Sequence, residues 1–316
     1  MAGGVTVLVV GAGSIGRRHH ENLMALGAQS HLIGWRGFSA QALAARLAEG
    51  ADAVVIATAT DVRLPLVKAC AAAGVPFYVE KPLAFRPADV ETIAVLAAPV
   101  AQRSMLGMMM RYHPAFRELA ATDLSDVFQF ALSIGHDVTQ WRANWRFSQS
   151  YAAKADGGGV LLDLCHEVDM AACLFPGLSV HAVESLGHVA YPGVDMASRI
   201  SLGRTGLSGD VAMDYLTPKL HRHCILRGSE RMHDFDFASQ HYVVTDAAGP
   251  AALHKPLDRN EMFLAAMRDF LALVAGRVVS DIEHLPRLDL CLPSARLVAG
   301  AWAARVFNGQ IRKEIP

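Results

Sequence analysis

Several features that define other protein classes are missing from this sequence of 316 residues. No apolar run approaches the ~20 residues that a membrane-spanning helix needs, so we expect no membrane segment. No lysine or arginine precedes the first apolar stretch, which argues against a secretory signal. No basic tract stands out, and 29 basic against 30 acidic residues leave a formal charge of −1. We therefore expect no broad surface for nucleic acid.

The five cysteines are scattered along the chain, and none of them shows CxxC spacing. An odd, unpatterned set argues against a disulfide framework or a cysteine metal site, so a reducing cytoplasm is the expected location. The histidines between residues 221 and 241 have no carboxylate or cysteine at a spacing that suits a metal ion. We predict no metal site.

The first third of the chain alternates short apolar runs with helical patterns. Val5–Val10 and Ala53–Ala57 are continuous aliphatic runs, typical of parallel strands that are buried on both faces. Ser14–Leu26 has the periodicity of a helix. Repeated units of this kind predict a doubly wound parallel sheet, the Rossmann architecture. We expect it over residues 1–116, with Met105–Met110 as its last strand.

The pattern changes in residues 117–316, where strands follow one another without helices between them. This succession predicts a C-terminal α+β domain with an open, mostly antiparallel sheet. We assign substrate binding and oligomerisation to this domain as an expectation. One predicted helix, Val160–Phe175, interrupts the strands. Two more, Glu261–Ala275 and Arg287–Phe307, close the chain.

A glycine motif follows the first predicted strand. Gly11, Gly13 and Gly16 match GxGxxG between a buried strand and a helix, as a dinucleotide fingerprint requires. Gly11 permits the tight turn, Gly13 lets a pyrophosphate approach the backbone, and Gly16 allows the helix to pack closely on the strand. The phosphates would lie on N–H groups at the helix N-terminus. Ser14 and Ile15 belong to that first turn and are expected to contact the cofactor.

The segment after the second predicted strand bears on the choice between NAD and NADP. A carboxylate there accepts from the ribose of NAD, whereas an arginine accommodates the 2′-phosphate of NADP. The chain offers Arg36 and no carboxylate before Glu49, which favours NADP, with a solvated loop arginine as the alternative. The stretch from Arg36 to Ala53 is too short for a helix, a strand and a second helix, so we expect the sheet to lack one strand there.

Glu80, Lys81 and Pro82 follow a buried strand, at the sheet edge where doubly wound folds bind ligands. Here the chain resembles the glucose–fructose oxidoreductase / inositol dehydrogenase / rhizopine-catabolism (Gfo/Idh/MocA) family of NAD(P)-dependent oxidoreductases. The resemblance implies that Glu80 and Lys81 contact the cofactor and that Lys81 also contacts the substrate. Thr58 opens a segment similar to the family's Thr-Pro-x-x-x-His and is expected at the cofactor, although Arg63 stands at the histidine position.

Residues 157–169, a triple glycine followed by a predicted helix, resemble the family segment that carries the catalytic Asp and His. The resemblance implies catalytic roles for Asp163 and His166. They lie three residues apart instead of the family's more usual four, which leaves open which of them transfers the proton. On a continuous helix, Asp163, His166 and Glu167 would share one face. A buried His satisfied by Asp163 is the structural alternative.

Substrate contacts are expected from four residues. Trp141 and Arg142 could stack on a sugar ring or bind an anionic group, with a structural loop as the equal alternative. Arg111 lies in a segment that resembles the exit from the last Rossmann strand of the family, and Glu167 follows His166. The later segments look closest to members that act on sialic-acid-like or nucleotide-linked amino sugars.

The resemblance implies hydride transfer between a nicotinamide and a carbinol or carbonyl of a sugar, cyclitol or nucleotide-linked amino sugar. His166 is expected to act as general base, because an imidazole titrates near neutrality. Lys81 would stabilise the developing alkoxide, and Asp163 would orient or share the proton network. The alternative is a non-catalytic dinucleotide-binding sensor or interaction protein, which would not need these three residues together.

The apolar content bears on assembly. Hydrophobic residues make up 52% and charged residues 19% of the chain, against roughly 45–50% and 25% in typical domains. Two cores and a subunit interface would account for this excess. A sheet that is covered by helices on one face leaves the other face available. We therefore expect a homodimer or homotetramer through the C-terminal sheet, which is the association that the resemblance implies. The resemblance also implies a small sugar-like substrate.

Overall fold

The computed structural model describes residues 4–141, 146–279 and 283–315. Its α-helices, in chain order, are α1 (Ser14–Ala25), α2 (Ala40–Ala48), α3 (Arg63–Ala72), α4 (Pro87–Ala97), α5 (Pro114–Ala120), α6 (Val160–Asp163), α7 (His166–Leu174), α8 (Arg259–Val274) and α9 (Leu288–Ala303). Its β-strands, in chain order, are β1 (Thr6–Val10), β2 (Gln29–Ile33), β3 (Ala53–Ile56), β4 (Phe77–Val79), β5 (Met105–Leu106), β6 (Val127–Gly135), β7 (Ser179–His188), β8 (Ala197–Arg204), β9 (Leu207–Asp214), β10 (His221–Gly228), β11 (Met232–Asp236), β12 (His241–Asp246), β13 (Gly249–Leu253) and β14 (Val306–Ile311). Within these described ranges, no helix is both long and apolar enough to cross a membrane.

These elements form two compact units. The first combines Met1–His113 with Leu257–Ala295, and the second combines Pro114–Pro256 with Arg296–Pro316. The predicted division after residue 116 lies close to the first transition between the units, but it assigned Leu257–Ala295 to the second domain. In the structure this segment packs with the first unit.

Helix α8 joins the first unit because its apolar side packs there. Met262, Ala266 and Phe270 are buried in one hydrophobic core together with Val7 and Tyr78. Burial of these side chains removes apolar surface from water, which stabilises the unit. The contacts join residues far apart in the chain, so local periodicity does not indicate them.

The first unit contains a parallel sheet with strand order β2-β1-β3-β4-β5. Helices α1 to α4 alternate with these strands, which confirms the predicted Rossmann architecture. Strand β1 pairs with both β2 and β3, and its aliphatic residues from Val7 to Val10 are buried. Residues 34–52 hold α2 and no strand, so β2 is an edge strand, as the short segment predicts.

The last strand of this sheet is shorter than predicted. Met105–Met110 was expected to be one strand, but β5 ends at Leu106, and Met109–Tyr112 forms a 3₁₀ turn. The reason is that β4 offers only two pairing positions to β5, at Tyr78 and Val79.

The second unit contains a sheet with strand order β13-β12-β11-β10-β6-β9-β8-β7-β14. The β6–β9 and β7–β14 pairs are parallel, and the other pairs are antiparallel, which confirms the predicted mostly antiparallel sheet. Helix α7 packs on β6 and β9, and α6 packs on β8 and β9. Phe130 of β6 stacks on Phe175, with ring centroids 5.2 Å apart.

Two predicted helices of this region are wrong in extent. Val160–Phe175 is divided into α6 and α7, because Leu164 leaves the helical region of backbone space, at φ −105° and ψ 32°. The last helix ends at Ala303 instead of Phe307. Its predicted end forms β14 instead, which pairs in parallel with β7.

Candidate functional site

The glycine motif forms the turn from β1 into α1. Gly11 has φ +115°, a conformation that favours glycine, and a Cβ there would collide with the carbonyl oxygen of Ala57. A Cβ on Gly16 would collide with the carbonyl oxygen of Gly11. At Gly13, by contrast, no described atom lies within 4 Å of an ideal Cβ. Two glycines are therefore required by packing, and the third lies beside open space.

The N-terminus of α1 opens at the same place. In the described first turn there is no acidic residue, and Gly13 supplies no side-chain cap. Ser14 is exposed and Ile15 is half-buried. The first N–H groups of a helix have no intrahelical acceptor, and the helix dipole favours an anion beside them. These features suit an anion such as the pyrophosphate of a dinucleotide. Contact of Ser14 and Ile15 with the cofactor stays a prediction.

Arg36 lies in a turn that follows β2. The Phe38 N–H donates to the Trp35 carbonyl over 3.0 Å, which closes the turn around Arg36 and Gly37. The Arg36 side chain is exposed. An exposed guanidinium after the second strand can bind a ribose phosphate in a bidentate way.

Glu80 and Lys81 follow β4 directly. The Glu80 N–H donates to the Ile56 carbonyl over 2.9 Å, which continues the β3–β4 ladder and fixes the backbone up to Lys81. The Glu80 carboxylate accepts a hydrogen bond over 2.7 Å from Nε2 of the buried His19. Burial opposes ionisation of Glu80, but this hydrogen bond and the positive charges of His19, Lys81 and Arg63 lower its pKa below the ordinary value. Glu80 is therefore ionised beside the half-buried Lys81.

Thr58 and Arg63 belong to the segment that follows β3. Thr58 is buried, and its hydroxyl donates to the Ala59 carbonyl over 3.2 Å. Arg63, at the family's histidine position, is buried and donates to the backbone carbonyls of Thr58 and Pro82. The arginine that replaces the family's histidine therefore connects the segment after β3 with the segment after β4.

In the second unit, Asp163 is the last residue of α6 and accepts two tyrosine hydroxyls. Tyr151 Oη donates to Oδ1 over 2.6 Å, and Tyr215 Oη donates to Oδ2 over 3.0 Å. Burial raises the pKa of Tyr215 well above its ordinary value, and the charge of Asp163 raises it further. Tyr215 therefore stays protonated and remains a donor to Asp163.

His166 begins α7 and is buried. The division between α6 and α7 means that Asp163, His166 and Glu167 do not lie on one continuous helix face, so that prediction is wrong. Glu167 accepts from Arg222 instead, with Nε to Oε1 at 2.6 Å and Nη2 to Oε2 at 3.4 Å. Leu164 thus lies between Asp163, which binds two tyrosines, and the ion pair of buried Glu167 with half-buried Arg222.

Two histidines of β10 contact side chains on the strands beside it. His221 lies 2.7 Å from Ser133 Oγ, and His223 lies 2.5 Å from Asp234 Oδ1. In the parts of the chain that the structure describes, no group of three His, Cys, Asp or Glu side chains is arranged to hold a metal ion.

Comparison with known proteins gives a family match within the first unit. Residues 5–108 match the GFO_IDH_MocA family model, described as an oxidoreductase family with an NAD-binding Rossmann fold. The chain is also 30% identical over 188 residues to the myo-inositol dehydrogenase Hyg17 of Streptomyces leeuwenhoekii. That match covers 54% of this chain and 55% of the relative, so the chain spans about half the length of this relative.

Solved structures share the fold over nearly the whole chain. The UDP-N-acetylglucosamine 3-dehydrogenase GnnA from Acidithiobacillus ferrooxidans matches with a TM-score of 0.73 and 19% identity, over 94% of this chain and 95% of that one. Levoglucosan dehydrogenase in complex with NADH and L-sorbose gives a TM-score of 0.76 and 18% identity, over 95% and 96%. An oxidoreductase from Agrobacterium radiobacter, in complex with NAD+, L-tartaric acid and magnesium, gives 0.77 and 17%, over 95% and 96%. At these identities the likeness shows the fold.

The residues that were expected to contact the substrate have different surroundings. Arg111 is buried, and its Nη2 donates to Ser294 Oγ over 3.3 Å. Trp141 is half-buried and packs edge-on against Tyr215, with ring centroids 5.4 Å apart. Arg142 lies outside the described residues. These substrate contacts stay predictions.

Asp195 was not indicated by any motif, yet it organises the predicted catalytic segment. Its buried carboxylate accepts from the Leu161 N–H and from Ser198 Oγ, each over 2.9 Å, and from the Arg305 guanidinium. A Cβ on Gly159, at φ +92°, would collide with this carboxylate. Asp195 thus caps the start of α6, the helix that ends at Asp163.

Proposed function

We propose that the chain is an NAD(P)-dependent oxidoreductase that transfers hydride between a nicotinamide and a carbinol or carbonyl carbon of a sugar, cyclitol or nucleotide-linked amino sugar. The observation that carries this proposal is the glycine turn, where Gly11 and Gly16 exclude side chains while Gly13 borders open space at the start of α1. The relatives add support, since their names describe dehydrogenases of myo-inositol, UDP-N-acetylglucosamine and levoglucosan.

The residue roles follow from chemistry and from the family resemblance. The bound nicotinamide supplies the hydride acceptor or donor. Lys81 donates a hydrogen bond from its ammonium to the substrate oxygen and stabilises negative charge that develops there. His166 takes the hydroxyl proton as general base, and Asp163, held by Tyr151 and Tyr215, orients the proton network.

A substitution at Gly13 tests the cofactor site. Gly13 has φ −71° and ψ −178°, which any residue can adopt, so Gly13→Val should leave the fold intact. Its side chain would occupy the place of the pyrophosphate, and NADH and NADPH binding, measured by fluorescence, should fall at least tenfold. Gly300→Ala is the control, because that glycine also has no described atom within 4 Å of an ideal Cβ. Unchanged cofactor affinity in Gly13→Val would overturn the proposed site.

We infer a preference for NADP from Arg36. Its exposed guanidinium follows β2, in a turn closed between Trp35 and Phe38. The described residues between Arg36 and the start of β3 include Glu49 and Asp52 as carboxylates, and both lie after α2. A phosphate on the adenosine ribose is the group that an arginine in this place binds best.

We also infer that copies of the chain form a homodimer or homotetramer through the C-terminal sheet. Phe130, Val211 and Ile200 point to the buried side of β6, β9 and β8. Ala131 and Ala212 alternate with them on these strands and are half-exposed in the monomer. Ala212→Arg should convert a dimer or tetramer into monomers in analytical ultracentrifugation. A monomeric wild-type protein would overturn this inference.

The expected location is the cytoplasm. All five cysteines lie within the described ranges, and no disulfide joins them there. Thiols persist in reducing compartments. Cell fractionation with a marker enzyme tests the location.

A further inference from the structure

Arg63 is buried at the first position of α3, where only 4% of its surface is exposed. A guanidinium stays charged at all relevant pH values, and an arginine in the interior therefore needs acceptors around it. The fold supplies these acceptors from two backbone segments.

The first segment follows β3. Arg63 Nε and Nη2 both donate to the Thr58 carbonyl, over 3.2 and 2.8 Å. Both nitrogens of one edge of the guanidinium thus bind one oxygen, which fixes the plane of the side chain.

The second segment follows β4. Arg63 Nη1 donates to the carbonyl of Pro82, the residue next to Lys81. Strands β3 and β4 are neighbours in the parallel sheet, with Ile56 opposite Val79. The two segments therefore leave the sheet at the same edge, and one side chain joins them.

The joined segments hold residues of the proposed cofactor site. Thr58 lies in one of them, and Lys81 lies in the other. The positive charge of Arg63 also helps to keep the pKa of Glu80 below its ordinary value, although burial of Glu80 acts in the opposite direction. A lysine has one nitrogen and cannot reproduce this planar set of donors.

We propose that Arg63 is a positioning residue, which ties the backbone at Thr58 to the backbone beside Lys81 and thereby holds Lys81 in place for hydride transfer. The catalytic part of this inference rests on the proposed function. The structural part, the connection between the two segments, does not.

Hydrogen–deuterium exchange of the full-length protein tests the structural part. In Arg63→Met, the amides of residues 57–63 and 80–85 should exchange at least tenfold faster, while peptides from the second unit keep their wild-type rates. Arg103→Met is the matched control, because exposed Arg103 also donates to one backbone carbonyl of this unit, that of Gly74, over 3.3 Å. Wild-type exchange in both segments of Arg63→Met would overturn the inference.

Turnover and cofactor affinity test the catalytic part. A displacement of about 1 Å can lower a rate by roughly 10²-fold. Arg63→Met should therefore lower kcat between tenfold and 10²-fold, with the Kd of NADPH changed by less than threefold. Arg63→Lys and Arg63→His, which each keep a nitrogen donor, should give kcat values between those of Arg63→Met and wild type. They provide the test if Arg63→Met does not fold.

The outcomes separate this inference from the proposed function. If wild type transfers no hydride to or from either cofactor with any substrate, the proposed function and the catalytic part fail, while the exchange rates still decide the structural part. If wild type turns over and Arg63→Met keeps its kcat within twofold, the positioning role is overturned. A loss confined to cofactor affinity, with kcat unchanged, also contradicts it.

Discussion

His19 and Glu80 form a buried pair that joins the first helix to the end of the fourth strand of the Rossmann sheet. Nε2 of His19 lies 2.7 Å from Oε1 of Glu80, and no part of the His19 side chain is exposed. The His19 ring packs edge-on against Tyr78 and Phe263, with centroids 5.0 and 6.0 Å away. The pair thus fixes Glu80, which directly precedes Lys81.

His19→Leu should lower the free energy of unfolding by about 3 kcal/mol at pH 7, because it leaves the Glu80 carboxylate buried without this partner. The folded pKa of Glu80 is lowered, so the stability it contributes is present above its unfolded pKa, about 4.3, and is lost as the pH falls through the folded value. The difference between variant and wild type should therefore shrink toward pH 3. Chemical denaturation across this pH range measures it.

His20→Leu is the control for that prediction. His20 is half-buried, and its Nδ1 lies 2.8 Å from Ser30 Oγ. Loss of this single hydrogen bond should cost about 1 kcal/mol. Equal losses in the two variants at every pH would contradict the account of the His19–Glu80 pair.

Lys81→Ala should abolish hydride transfer and leave cofactor binding within about threefold, because the turn at Gly11–Gly16 is untouched. Absorbance at the reduced-nicotinamide band measures turnover, and NADPH fluorescence measures binding. Lys68→Ala removes an exposed lysine of α3 in the same unit and should behave as wild type. Turnover retained by Lys81→Ala would refute its catalytic role.

Arg36→Ala should weaken NADPH binding by at least tenfold, since a charged hydrogen bond contributes about 1.5–3 kcal/mol. NADH binding should change by less than twofold. Fluorescence titrations with the two cofactors measure both values. Arg46→Ala, at an exposed arginine that pairs with Glu49, is the control. Equal losses for the two cofactors would remove the argument for NADP.

His166→Asn and Asp163→Asn should distinguish the two candidate proton acceptors. If His166 is the general base, its variant should lose about 10²-fold in kcat, together with the limb of the pH–rate profile in which the rate rises as the base deprotonates. Asp163→Asn should lower the rate and keep that limb. If this limb is kept in His166→Asn and lost in Asp163→Asn, Asp163 is the general base instead of His166.

Features with local causes were predictable from the sequence. The strand before Gly11, the glycine turn and the helix after it depend on neighbouring residues, and the structure shows all three. The edge position of β2 was predictable because the stretch from Arg36 to Ala53 is too short to hold a further strand.

The features that the sequence did not indicate depend on contacts between residues far apart in the chain. The contact of Arg305 with Asp195 joins residues 110 positions apart, and that of Glu80 with His19 spans 61. Periodicity within α8 indicates a helix but not the core against which it packs. The division of the helix after Asp163 likewise accompanies contacts to Tyr151 and Tyr215, which no local spacing indicates.

The most direct test of the central claim is a substrate screen of the wild-type protein, with absorbance recorded at the reduced-nicotinamide band. NAD and NADP are each offered with sugars, cyclitols and nucleotide-linked sugars. We predict that at least one of these polyhydroxylated compounds gives turnover, and that Lys81→Ala abolishes it. Cofactor binding without turnover on any compound would contradict the claim and would instead fit a non-catalytic dinucleotide sensor.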